Sequence, residues 1–246
     1  MVKWTYLHEL RARLIQSLLV IGVLFVVCCL FANPLYHMLA LPLLQQMPAG
    51  NNLIATQVAA TLLVPFKFAL IVAIVLAMPY LLYQFWSFIA PALYKQERRL
   101  LWSVLFASST LFYMGIAFAY GVVFPLMFSF FISTAPTGVE VRPDISQYLD
   151  FTLSLFMAFG VIFEVPMLTW LLARLGVVTV EQLRAARPYV IVGAFIVGML
   201  LSPPDVVSQI ILAVPICLLY EMGLWCASWS LKPKIQLPES SAGDTH

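Results

Sequence analysis

The run Leu14-Ile15-Gln16-Ser17-Leu18-Leu19-Val20-Ile21-Gly22-Val23-Leu24-Phe25-Val26-Val27-Cys28-Cys29-Leu30-Phe31-Ala32 holds no charged side chain and stops at Asn33-Pro34. An α-helix rises about 1.5 Å per residue and the hydrocarbon layer of a bilayer is about 30 Å thick, so about 20 such residues cross it. Residues 14–32 therefore read as a membrane span. No small-residue cleavage site follows the run, so it reads as a retained span rather than a removed leader.

Runs of the same kind recur at 64–87, 100–124 and 151–173, bounded by Ala90-Pro91, Pro125 and Arg174. Two shorter runs, 189–202 and 206–222, flank Pro203-Pro204-Asp205 and read as a helical hairpin with a tight turn. The expectation is an all-α, polytopic membrane protein. It has six transmembrane helices, the last two short, within a single domain over 1–230, followed by a polar tail at 231–246. Composition agrees: 63% of the 246 residues are hydrophobic and 10% charged, against roughly 25% charged in a soluble domain. Nothing marks a nucleic-acid surface.

Lys and Arg are retained on the cytoplasmic side of a membrane. With spans alternating in direction, one side collects Lys3, Arg11, Arg13, Lys95, Arg98, Arg99, Arg174, Arg184, Arg187, Lys232 and Lys234. Only Arg142 falls opposite, and Lys67 lies near the outer end of the second run, where its stem can snorkel outward. Both termini are thus expected in the cytoplasm. The outward loops 33–63 and 125–150 are punctuated by proline yet hold apolar stretches such as Leu35 to Leu44, which suggest interfacial helices. The two halves differ in loop and helix length, against an inverted-repeat transporter.

Cys28, Cys29, Cys217 and Cys226 lie in or beside apolar runs with no CxxC pair, and read as small packing residues. His8, His37 and His246 lie outside the spans, and HExxH and GxSG motifs are absent. No metal, cofactor or enzymatic activity is implied.

A few ionisable residues stand out. Glu9 and Arg13 are one helical turn apart at the mouth of the first span, so Glu9 is either half of a surface ion pair or an acceptor for an incoming cation. Glu97 opens the third span, where the helix dipole favours a carboxylate by roughly 0.3–1 kcal/mol; spacing does not decide whether it does more. Glu164 lies inside the fourth run, where an ionised carboxylate costs about 2.5–3.5 kcal/mol. It reads either as a protonated side chain bonded to a neighbouring helix or as a polar pocket. Pro166 frees a backbone carbonyl one turn back. Glu221 is expected to reach the headgroups.

Four stretches carry a family resemblance: Leu7-His8-Glu9-Leu10-Arg11-Ala12-Arg13-Leu14; Phe88-Ile89-Ala90-Pro91-Ala92-Leu93-Tyr94-Lys95-Gln96-Glu97-Arg98-Arg99; Phe163-Glu164-Val165-Pro166; and Arg187-Pro188-Tyr189 through Ser202-Pro203-Pro204-Asp205. In order and topology they resemble the TatC family, the signal-receptor core of the twin-arginine protein export system of the bacterial inner membrane. Members commonly carry His ahead of the first stretch, where this chain has Tyr6.

The resemblance implies that Glu9 and Glu97 receive the two guanidiniums of a twin-arginine signal peptide. Arg11, Arg13, Lys95, Arg98 and Arg99 would orient those carboxylates and hold the loop at anionic headgroups, and Phe88 joins the site. It also implies that Glu164, Asp205, Gln209 and Met199 form intramembrane polar or partner contacts with single-span TatA-type and TatB-type subunits, within a receptor complex holding further copies of the chain. From a different class, a small-solute or ion transporter using Glu164 is the alternative.

Overall fold

The computed structural model describes residues 2–31, 60–89, 98–134, 144–202 and 205–230. Helix α1 runs Val2–Leu30, α2 Ala60–Ile89 and α3 Arg98–Phe118. A π-helical turn, Ala119–Val123, joins α3 to α4 (Phe124–Ser133). Then come α5 (Ile145–Ile162), α6 (Val165–Arg174), the short α7 (Val180–Ala185), α8 (Arg187–Leu201) and α9 (Val206–Ser230). The expected interfacial helix at Leu35 to Leu44, the tail at 231–246 and the Pro203-Pro204 turn lie outside the described residues.

Among the described residues, five stretches are long and apolar enough to cross a membrane: His8–Leu30, Leu63–Phe88, Trp102–Phe131, Ser146–Arg174 and Val206–Ser230. Arg187–Leu201 is a sixth, shorter apolar helix. Large apolar side chains such as Leu18, Phe106, Leu200 and Trp225 face outward, which is stable only where the surroundings are lipid.

Three boundaries differ from the sequence reading. Pro125 does not end the third span. Its ring removes an N–H and crowds the preceding turn, but the π turn takes in one extra residue and Phe124 N–H bonds to Ala119 O, so helix continues to Ser133. The fourth span begins earlier, at Ile145, because Asp144 Oδ1 accepts from Ser146 and Gln147 N–H at 2.8 and 3.1 Å and caps it. The same span breaks at Phe163-Glu164, where Pro166 lacks the N–H that would reach Ile162.

The last helix is not short. It has 25 residues, about 37 Å. Glu221, at which the apolar run was expected to fade, is paired at 2.7 Å with Arg187, so its charge does not halt the helix before Trp229. Helix α8, with 15 residues, or about 22 Å, falls short of the hydrocarbon thickness. Lys67, about half exposed, pairs with Asp150 on α5.

Helix α1 packs on α2, α3 on α5, and α9 on both α6 and α8. The largest core is built by Phe68, Phe124, Met127, Leu155, Phe159 and Leu212, a second by Leu82, Trp86, Val104, Phe112 and Leu171. Helices α3 and α5 meet through glycine. A Cβ on Gly115 would sit 2.5 Å from the Phe159 carbonyl oxygen, and one on Gly160 2.5 Å from the Phe112 ring. Such close backbone approach is how helices associate where lipid offers no hydrophobic drive. Cys28 is buried in the α1–α2 seam beside Ala69 and Ala73, as a packing residue.

Candidate functional site

The N-terminal half of α1 reaches the C-terminal turns of α2 through a chain of polar side chains. Arg13 donates from Nε and Nη2 to Glu9 Oε1, at 3.1 and 2.7 Å. Its Nη1 donates to Gln84 Oε1 at 3.0 Å. Weaker contacts reach the backbone carbonyls of Gln84 (3.4 Å) and Ser87 (3.5 Å), at the end of α2 where the helix dipole is negative. Gln84 Nε2 donates in turn to Gln16 Oε1 (3.1 Å) and Tyr80 OH (2.6 Å). The surface ion pair anticipated for Glu9 therefore exists, and it is half of a clasp between two helices.

Below the clasp opens a cavity of about 430 Å³. Arg13, Leu14, Phe85, Phe88, Leu168 and Glu164 are among the residues that line it. The wall is apolar nearly throughout. The break before Pro166 sets Glu164 between α5 and α6, 6% exposed. Ser108 Oγ on α3 donates to Glu164 Oε2 at 2.7 Å, and Trp86 Nε1 on α2 donates to Ser108 Oγ at 2.9 Å. Three helices thus converge on one carboxyl group. Its other oxygen, Oε1, is buried without a hydrogen-bond partner, an arrangement that costs free energy unless something else supplies a donor.

Arg13, Phe88 and Glu164, expected in two separate sites, share this cavity. Arg11 is exposed on α1. Arg98 and Arg99 open α3, and Lys95 and Glu97 lie outside the described residues, so the Glu9–Glu97 pairing has no geometry here. Asp205 Oδ2 accepts from Ser208 N–H at 2.7 Å and caps α9. Gln209 brings its backbone against Gly198, where a Cβ would lie 3.3 Å from its carbonyl oxygen. Met199 is exposed on α8, while Asp205 and Gln209 are half-buried.

Gln16, Tyr80, Gln84, Trp86 and Ser108 were not singled out from sequence. The signal for them is modest: a Gln or Ser inside an apolar run needs a partner, but the run does not say which. Among the described residues no three His, Cys, Asp or Glu side chains gather as metal ligands.

The sequence model of the family described as "Sec-independent protein translocase protein (TatC)" matches residues 5–215. The TatC protein of Haemophilus influenzae is 53% identical over 223 residues, covering 91% of this chain and 87% of its own length. That of Escherichia coli K12 is 52% identical over 221 residues, covering 90% and 86%. A crystal structure described as the twin-arginine translocase receptor TatC superposes with a TM-score of 0.84 at 37% identity, over 92% of this chain and all of that one. A helical bundle with an acid-lined groove, matched nearly end to end in sequence and in fold, makes this chain a member of the Sec-independent protein translocase (TatC) family.

Proposed function

We propose that the chain is the receptor subunit of a twin-arginine translocase, binding the signal peptides of folded cargo at its cytoplasmic face. The observation that carries this is a largely apolar cavity whose lining includes Arg13, the partner of the Glu9 carboxylate. A carboxylate accepts an arginine in a bidentate, planar geometry that a lysine does not match. Glu9, with Glu97 from the loop before α3, would take the two guanidiniums, while Phe85, Phe88 and Leu14 would hold the apolar segment that follows. Arg11, Lys95, Arg98 and Arg99 add a repulsive background that only a correctly placed motif overcomes.

In this reading both termini are cytoplasmic and the basic ends of the helices contact anionic lipid. Single-span TatA-type and TatB-type subunits approach along α8 and α9, near Met199 and Gln209, and along the cavity that Glu164 lines. Further copies of the chain join the receptor complex. The role is binding and assembly rather than catalysis. The family match favours this reading over the transporter alternative.

The test is photocrosslinking of a twin-arginine signal peptide to the chain in membranes. Glu9→Ala and Glu97→Ala should each cut crosslinking severalfold. Undiminished crosslinking in both variants would remove the basis of the assignment.

A further inference from the structure

Arg13 occupies the acceptor that the receptor would offer to its ligand. Two of its nitrogens converge on Glu9 Oε1, so in the unliganded chain the carboxylate already holds a guanidinium. Arg13 is the less exposed partner, with 20% of its side chain exposed against 39% for Glu9. It is gripped from the far side by Gln84. Gln84 is itself buried, and its amide orientation is set by Arg13, which can only donate: Oε1 faces the guanidinium, and Nε2 is left to donate to Gln16 Oε1 and Tyr80 OH. With the carbonyls of Gln84 and Ser87 beside it, Arg13 has a second set of acceptors that persists if Glu9 lets go.

We infer that Arg13 is a built-in competitor for the ligand's arginine, and that Gln84 is the positioning residue that receives Arg13 when it is displaced. This rests on the receptor reading above and adds how that site is regulated. Exchange of one guanidinium for another on Glu9 preserves a charge-assisted, forked hydrogen bond and leaves no buried charge unpaired, so an arginine displaces Arg13 at little cost. An ammonium offers a point charge without the fork, and gives Glu9 a poorer partner than the one it gives up. The internal arginine therefore costs every ligand the same factor in affinity, and sets a threshold that an arginine ligand clears and a weaker lysine ligand does not.

Two readouts on the full chain in lipid nanodiscs test this. The first is the affinity for a twin-arginine peptide and for its twin-lysine counterpart. Arg13→Gln should improve binding of both peptides by about two- to fivefold, the scale of a partly exposed ion pair, and leave their ratio unchanged. Gln84→Glu, which draws Arg13 off Glu9, should act in the same direction, and Gln84→Leu in the opposite one. Opposite signs from one position are not produced by a general folding defect.

The second readout is the rate of carbodiimide labelling of Glu9 without peptide. It should rise in Arg13→Gln and Gln84→Glu and fall in Gln84→Leu. Unimproved or weakened binding of both peptides in Arg13→Gln overturns the competitor. Labelling that ignores all three variants while the wild type still prefers the arginine peptide also overturns it and leaves the receptor standing. A wild type with no preference between the peptides overturns the receptor reading, and the competitor with it.

Discussion

Removing the Ser108 hydroxyl should uncouple Glu164 from the helix bundle. In Ser108→Ala, Trp86 Nε1 loses its acceptor at 2.9 Å and Glu164 Oε2 its donor at 2.7 Å, and Oε1 is already unpartnered. In a water-soluble core, each orphaned buried polar group costs about 1–3 kcal/mol. Side-chain hydrogen bonds between membrane helices measure lower, about 0.6 kcal/mol on average and up to about 1.7, because the helices find other partners before they associate. The lower scale governs here, and two bonds then put Ser108→Ala at about 1–3 kcal/mol destabilised. The measurement is a double-mutant cycle of Ser108→Ala with Trp86→Phe, followed by detergent-driven unfolding. A coupling of about 0.5–1.5 kcal/mol is expected, accompanied by a loss of export of a folded reporter. Strict additivity, with export intact, would refute the idea that Trp86 and Ser108 hold the carboxyl in place.

Gly160→Ala should destabilise the α3–α5 contact by about 1–3 kcal/mol, since the added methyl would meet the Phe112 ring at 2.5 Å; Gly22→Ala, which meets no atom within 4 Å, is the control in the same unfolding assay. Arg187→Ala should cost no more than about 1 kcal/mol, because both members of its pair with Glu221 are about half exposed (48% and 49%); a large loss of stability would mean that the pair, rather than packing, holds α8 to α9. Inserting four apolar residues into the short α8 should lower export while signal-peptide crosslinking persists, because a helix of about 22 Å forces the bilayer to thin. Unchanged export would remove any role for that thinning.

The groove and its flanking polar network were only partly legible before the structure. Glu9 and Arg13 could be paired on paper because a helix places residues four apart on one face. Arg13 and Gln84 are 71 residues apart, and Ser108 and Glu164 56 apart. Helical periodicity names a face for each, but neither the neighbouring helix nor the depth at which the two meet. The end of the third span was misread at Pro125 because a proline's missing N–H is a local rule, and whether a π turn absorbs it depends on what the helix packs against. The last helix runs past the expected end at residue 222 to Ser230, beyond Glu221, which pairs with Arg187 on another helix.

That the chain is all-helical and built on several long apolar helices follows from sequence alone, since a bilayer core accepts only apolar segments whose backbone hydrogen bonds close within the helix. Which helices touch, where Pro166 opens the bundle, and how Arg13, Gln84, Ser108 and Glu164 find their partners belong to the tertiary structure. Inside a membrane, apolar surface is no guide to pairing, because lipid satisfies it as well as another helix does; the arrangement is settled by close glycine contacts and by a few polar groups that need one another.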